Sequence, residues 1–314
     1  MSGNLEGRVA IVTGGGRGLG AAYALALAAA GAKVVVNDLG RGLQGDIEGS
    51  DPAEELVQQI RAAGGEAVCD RGDVADYDDA GRLIRTAVDR FGGLDILINN
   101  AGILRDRMLI SMSPDEWDAV IRVHLRGHFC TTQHAVAYWR ERAKSAPGGV
   151  PGDAALIHTS SIAGLHGNAG QTNYAVAKTG IAMMAWLNHL ELNQRYGVRA
   201  YAIAPGARTR LTLNSPGAQD TVGKPEDGSF DYYDPANVAT FIVWLGQVGC
   251  PAPSGGIYGV EGDVVRRYNG WSIGSTIRND SRPWTLEQLD ARAAELAAGS
   301  ERSFVPITDV IHRG

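Results

Sequence analysis

Thr13-Gly14-Gly15-Gly16-Arg17-Gly18-Leu19-Gly20 constrains this chain more than any other stretch. Its setting gives it meaning. Arg8 to Val12, just before it, is a short apolar run rich in β-branched residues and reads as a strand. Ala21 to Ala30, just after it, is rich in Ala and Leu, reads as a helix, and is stopped by Gly31. Lys33 to Val36 is a second strand ending at Asn37-Asp38. Strand, glycine turn, helix, strand and then an acid about twenty residues on is the arrangement that binds a dinucleotide. Gly14, Gly18 and Gly20 let the backbone approach a pyrophosphate. The helix start at Leu19 offers free N–H groups and a partial positive charge. Asp38 is placed to accept hydrogen bonds from the adenosine ribose and to repel a 2′-phosphate, which selects NAD over NADP. Arg17 argues the other way, since a base in the turn can meet that phosphate. Asp38 weighs more, because it stands where the hydroxyl itself is bound.

The alternation then continues. Helices are expected at 51–63, with Asp51 as cap and Pro52 in the first turn, and at 76–91, closed by Gly92-Gly93. One long helix is expected from Ser113-Pro114 to about Glu141, and others at 172–195 and 235–247. Strands are expected at 66–69, 94–98, 154–157, 198–204 and 256–260, most of them apolar throughout. Apolar strands without alternation belong to a parallel sheet covered on both sides. The reading is a single-domain α/β fold over 1–265, a Rossmann-type doubly wound parallel sheet with helices on both faces. A C-terminal extension, 266–314, packs on it, with Thr285-Leu-Glu-Gln288 as a capping box for one more helix. The 314 residues are enough for a sizeable core. Residues 207–234 break the pattern. They are polar and rich in Gly, Pro and Asp, and follow a strand end, so they are expected to be a substrate lid.

Tyr174-Ala-Val-Ala-Lys178 puts a phenol and an ammonium four residues apart, on one helix face. An ammonium beside a phenol favours the phenolate and draws its pKa down from ~10, so that the tyrosine can exchange a proton near neutrality. Ser161 ends a strand thirteen residues earlier and can hold a substrate oxygen. A half-buried tyrosine and a solvated lysine on a surface helix explain the same spacing. The rest of the chain decides between them.

Thr13-Gly-x-x-x-Gly18-x-Gly20, Asn99-Asn100-Ala101-Gly102, Ser161, Tyr174-x-x-x-Lys178 and Pro205-Gly206 together resemble the short-chain dehydrogenase/reductase family, in order and spacing, over about residues 5–265. The resemblance implies that Asp73, Val74, Asn100, Ala101, Gly102, Pro205 and Gly206 line the cofactor beside the glycine turn. It implies a hydride exchange between NAD and a secondary alcohol. Ser161 would hold the oxygen, Tyr174 would move the proton, and Lys178 would tune Tyr174 and hold the nicotinamide ribose. Longer strings, Val34 to Gly40, Asn99 to Arg107 and Arg122-Val-His-Leu-Arg-Gly127, resemble one branch, the (3R)-hydroxyacyl-CoA dehydrogenase domains of type 2 multifunctional β-oxidation enzymes. That likeness implies (3R)-3-hydroxyacyl-CoA thioesters and 17β-hydroxysteroids as substrates, and a homodimer or homotetramer through the helices at 114–141 and 172–195.

Two departures stand out. His124 takes the place of the asparagine that continues the family's proton relay, and it is either a relay or a core histidine bonded to backbone. In Pro205-Gly206-Ala-Arg-Thr209 the threonine falls one residue early, which puts its contact with the nicotinamide in doubt. Arg105 and Arg107 read as contacts for CoA phosphates or as solvated surface arginines.

Other chemistry is disfavoured. A net charge of −6 gives no general affinity for nucleic acid. Cys69, Cys130 and Cys250 show neither a disulfide framework nor a metal spacing, so no metal is expected and a reducing, cytoplasmic setting is. MSGNLEGR has no apolar signal region, and no run of ~20 apolar residues suggests a membrane span. The ending His312-Arg313-Gly314 is not a peroxisomal address. The competing readings are an NADPH-dependent 3-oxoacyl reductase of fatty-acid synthesis and an NAD-binding regulator without catalysis.

Overall fold

A computed structural model describes residues 4–40, 51–146, 152–213, 222–225 and 228–297. The glycine-rich stretch 41–50, the middle of 207–234 and the C-terminal residues from 298 lie outside the described residues. The described chain forms one eight-stranded sheet with helices on both faces. The strands are β1 (Val9–Thr13), β2 (Lys33–Asn37), β3 (Ala67–Asp70), β4 (Ile96–Asn99), β5 (Ala154–Thr159), β6 (Val198–Gly206), β7 (Ile257–Glu261) and β8 (Val264–Tyr268). Their order is β3-β2-β1-β4-β5-β6-β7-β8. All pairs are parallel except β7–β8, which is antiparallel.

The strands run apolar because they are covered twice. One core packs β1, β4, β5 and β6 against α1 (Gly18–Ala29), α2 (Pro52–Ala62) and a helix we number α9 (Pro235–Gly246). The other packs the opposite face against α3 (Tyr77–Phe91), α5 (Gly127–Ser145) and α7 (Thr172–Tyr196). Helix starts follow the polar residues before them. Asp51, Asp76 and Asp234 each accept a backbone N–H of the first turn. Ser113 and Glu116 close a full capping box on α4 (Pro114–Ile121). Gly92 and Gly197 end α3 and α7 in the left-handed conformation.

Several elements differ from the sequence reading, among them the short helices Ile162–His166 and Arg210–Leu213, which it did not expect. The long helix expected over 113–141 is α4 and α5 joined by a π-helical segment, Arg122–Arg126. Such an extra residue in a helix often marks a functional site. The strand β8 was not expected. A two-residue turn, Gly262-Asp263, folds it back on β7, with Gly262 at φ +51°.

The chain separates into two compact units, residues 1–268 and 269–314. In the second, α10 (Leu286–Ala297) starts from the expected box: Gln288 N–H donates to Thr285 Oγ1 and Thr285 N–H to Gln288 Oε1. Between β6 and α9 the described residues hold one short helix, α8 (Arg210–Leu213). No helix among the described residues is long and apolar enough to cross a membrane.

Candidate active site

The strand order reverses between β1 and β4, and ligands in such sheets bind at the carboxyl ends beside that point. The buried hydroxyl of Thr13, at the end of β1, accepts N–H groups of Asn100 (2.9 Å) and Ala101 (3.1 Å) and donates to Ile98 O (3.3 Å). It ties β1 to β4, a role the sequence reading missed. Asn100 Nδ2 donates to the carbonyls of Thr13 (3.1 Å) and Gly14 (3.2 Å), so this side chain shapes the glycine turn from beneath.

Gly14 adopts φ +58°, which side chains disfavour. A Cβ on Gly20, in the first turn of α1, would fall on the Gly14 carbonyl oxygen and lie 2.8 Å from Asn100 Nδ2. Backbone packed this closely to a helix start is the cradle a pyrophosphate needs, so these residues fit a dinucleotide. Arg17 is the N-cap residue of α1, with extended backbone, and Gly18 and Leu19 open the helix. Asp38 sits across the turn, its Oδ2 accepting Gly16 N–H (3.0 Å) and its Oδ1 Gly40 N–H (2.9 Å).

The other expected cofactor residues gather at the same edge. Asp73 accepts the Arg122 guanidinium on Oδ2 (2.7 Å) and Ala75 N–H on Oδ1 (2.9 Å). Its carboxylate therefore fastens the loop after β3 to the π segment. Val74 lies against Gly127, and Gly102 against the His124 ring. Gly206, after Pro205 at the end of β6, lies against Glu261 of β7. Thr209, despite its displaced register, comes beside Gly18, where a Cβ would be 3.6 Å away.

The second centre forms where β5 ends. Ser161 caps α6 (Ile162–His166), accepting Ala163 N–H at 3.2 Å, and its side chain hydrogen-bonds with Tyr174. Tyr174 stands in the first turn of α7, and Lys178 one turn on, its Nζ 5.5 Å from the Tyr174 ring centre. Lys178 is buried and donates to Thr159 O at 2.6 Å. The solvated lysine of the alternative reading is thereby excluded. The start of α7 is stapled from outside. Gln171 Nε2 donates to Asp106 Oδ2 (2.8 Å), and Asn173 Nδ2 to the carbonyls of Arg105 (3.0 Å) and Glu116 (3.1 Å). Arg107 pairs with Glu116 at 3.2 Å.

The electrostatics correct one expectation. Burial pushes Lys178 down to about 7. Burial also pushes the Tyr174 phenol up; the Ser161 hydrogen bond opposes this and Asp106 adds to it. Loss of solvent, and not the nearby ammonium, dominates the phenol.

His124 is carried in by the π segment. Its Nε2 lies 2.8 Å from Ile103 O, and its ring meets Tyr174 edge-on at 5.2 Å. It is a buried histidine bonded to backbone that also touches Tyr174. Burial, and then the charge of Lys178, pushes it down to about 3, against the Ile103 hydrogen bond. Beneath it His128 Nδ1 and His158 Nδ1 stand 3.2 Å apart. Burial holds His158 at about 3 and His128 well below the usual value. Neutral in the fold and charged when unfolded, the three imidazoles stabilise fully above ~6.5 and lose that contribution as pH falls below it. At about pH 5 each costs about 2 kcal/mol, and three together approach the whole stability of a domain. A urea midpoint well below its neutral value at that pH is the expected result. A midpoint equal at both pH values would refute buried neutral imidazoles.

At the loop after β6, Arg208 pairs with Asp231 through both guanidinium nitrogens and also donates to Val222 O (3.1 Å). Arg208 N–H donates to Tyr233 O at 2.7 Å. The Tyr232 ring lies on Gly262, in the β7–β8 turn. The first and last parts of the 207–234 stretch are thus clasped together. Among the described residues no group of three or more His, Cys, Asp or Glu forms a metal site.

A glycine cradle at the switch point, beside a Ser–Tyr–Lys cluster with its lysine buried at the next strand end, defines an oxidoreductase that uses a nicotinamide dinucleotide. The family model described as short chain dehydrogenase matches residues 8–216, and the chain belongs to that family. It is 43% identical over 304 residues to a Mycobacterium tuberculosis hydroxyacyl-CoA dehydrogenase, ChsB1, covering 96% of this chain and 92% of that one. It is 40% identical over 290 residues to mouse peroxisomal multifunctional enzyme type 2, covering 90% of this chain and 36% of that enzyme. A Synechocystis 3-oxoacyl-[acyl-carrier-protein] reductase is 42% identical over 67% of this chain and 78% of its own. A crystal structure of a short chain dehydrogenase from Mycobacterium avium superposes with a TM-score of 0.83 at 46% identity, over 97% of this chain and 99% of that one.

Proposed function

We propose that this protein oxidises the secondary alcohol of a (3R)-3-hydroxyacyl-CoA with NAD, in lipid or sterol side-chain β-oxidation, and takes 17β-hydroxysteroids as further substrates. The observation that carries this reading is the Ser161 hydroxyl bonded to Tyr174 with the Lys178 ammonium packed behind. Bound nicotinamide supplies the hydride acceptor. Ser161 holds the alcohol oxygen, and the Tyr174 phenolate takes its proton. Lys178, anchored on Thr159 O, stabilises that phenolate and holds the nicotinamide ribose hydroxyls. The thioester substrate is supported by the mycobacterial and mouse relatives. NAD is supported by Asp38, aligned by Gly16 and Gly40 at the rim of the turn.

A 3-oxoacyl reductase using NADPH is the second reading, favoured by the Synechocystis relative and opposed by Asp38. The complete Ser161, Tyr174 and Lys178 set opposes a regulator without catalysis. The apolar residues Phe129, Trp186, Leu187 and Leu190 are exposed on α5 and α7 and support a homodimer or homotetramer. Three free cysteines support a cytoplasmic setting.

The test is NADH formation from a (3R)-3-hydroxyacyl-CoA, its (3S) enantiomer and a 17β-hydroxysteroid, each with NAD and NADP. Turnover of the (3R) thioester with NAD is expected. A clear preference for NADP would transfer the protein to the reductase reading. The pH dependence has a defined sign. The phenol is pushed up and must ionise to act, so the oxidation rate rises with pH up to about 7, where Lys178 starts to lose the ammonium that stabilises the phenolate, and levels off above that. A rate that falls as the pH is raised toward 7 would remove Tyr174 as the base.

A further inference from the structure

Glu261 is a buried carboxylate that the chemistry described above does not use. It ends β7 and is 5% exposed. A charge so far from water needs a partner, and Arg266 of β8 supplies one across the hairpin. The phenols of Tyr232, Tyr233 and Tyr268 lie around the pair, and burial pushes each of them up, so they stay neutral. Asp263 is exposed in the turn, and Arg267 is exposed on the other face of β8.

The place of the pair gives it a target. Gly206 and Glu261 are register partners on β6 and β7, and a Cβ on Gly206 would lie 2.7 Å from Glu261 Cβ and 2.8 Å from its Oε2. Strand alternation puts Gly206 on the side of Ala202, and Glu261 on that of Ile257. That side packs against Leu165 of α6 and against Ala182 and Ala185 of α7. Tyr268 reaches the same helix, meeting His166 of α6 at 5.5 Å. Ser161 caps α6, and Tyr174 and Lys178 stand on α7, so the pair shares the reacting face of the sheet. Thr159, whose carbonyl holds Lys178, ends β5, two strands from β7. At ~4.8 Å per strand that is roughly 10 Å across the sheet.

We propose that the Glu261–Arg266 pair balances the charge at the nicotinamide end of the cleft and so sets the relative affinity for oxidised and reduced dinucleotide. This rests on the dehydrogenase reading above. The oxidised nicotinamide ring carries one positive charge more than the reduced ring. Paired, the carboxylate and guanidinium cancel and favour neither form. Alone, Glu261 favours the oxidised form and Arg266 the reduced one. A unit charge ~10 Å away shifts an equilibrium roughly twofold in water and more than tenfold at the dielectric of a protein surface, so about fivefold is expected here.

The test is titration of the protein with NAD and with NADH, without substrate. Arg266→Met should raise the ratio of the NADH Kd to the NAD Kd about fivefold. Glu261→Gln, which keeps the shape beside Gly206, should lower it by a similar factor. The double variant and Arg266→Lys should both stay within about twofold of the wild-type ratio. A packing defect weakens both dinucleotides together and leaves the ratio alone, and the melting temperature reports it separately. Ratios unmoved in both single variants, or moved in the same direction, would overturn the proposal. Where Arg266→Met does not fold, Glu261→Gln and the double variant decide by the same ratio. A wild-type protein that binds neither dinucleotide would overturn the dehydrogenase reading and this proposal with it. Normal binding with an unmoved ratio would overturn the role of the pair alone.

Discussion

Tyr174→Phe is expected to lose 100- to 10,000-fold in turnover, about the contribution of one general base, while NAD affinity stays within about twofold. The structure makes this a clean subtraction. The ring keeps its edge contact with His124 and its place beside Lys178. What disappears is the hydroxyl bonded to Ser161. Folding should be intact, so the melting temperature serves as the control and NADH absorbance as the readout. Near-wild-type turnover in Tyr174→Phe would sink the assignment of the base. Loss of NAD binding with loss of turnover would instead mean that the tyrosine holds the cofactor.

Gly20→Ala is expected to weaken dinucleotide binding about a hundredfold and to destabilise the fold by roughly 1–3 kcal/mol, the range for forced overpacking. The new methyl would land on the Gly14 carbonyl and crowd the Asn100 amide. Both are backbone-anchored, so the turn must move, and with it Asn100's hydrogen bonds to Thr13 and Gly14. Gly18→Ala is the contrast. Its methyl meets Thr209 at an ordinary 3.6 Å, so the penalty is chiefly the φ of +54°, about 1 kcal/mol. Titration of both variants with NAD separates the two causes. A Gly20→Ala protein that binds NAD like the wild type would show that the close approach plays no part in the cradle.

The features legible in the sequence are those with local signals. Apolar strands, the glycine turn, Asp caps and the Tyr174–Lys178 spacing each follow from a few neighbouring residues, and the structure places them as read. What was missed depends on distant partners. The π segment at Arg122–Arg126 keeps an ordinary helical composition, so nothing local announces the extra residue that turns His124 inward. The strand β8 did leave a mark, the Gly262-Asp263 turn between two valine-containing runs, but Arg266 and Arg267 disguised it. Arg266 lies on the inward-facing side because Glu261 pairs with it across the hairpin. The polar commitments of Thr13, Asn100, Asp73 and Thr159 are contacts across the sheet edge, and no spacing rule finds them. The balance at Tyr174 was misjudged for the same reason, because burial is a property of the assembled fold.

The clasp of Arg208 on Asp231 has a consequence for how such a protein diversifies. The two limbs of the 207–234 stretch are fastened to each other at Arg208 and Asp231, so the same contact closes whatever length of chain joins them. Lengthening a loop closed in that way costs little, about 0.6 kcal/mol for each doubling. Changes of length away from Thr209, which sits beside Gly18, therefore leave the sheet and the cradle undisturbed.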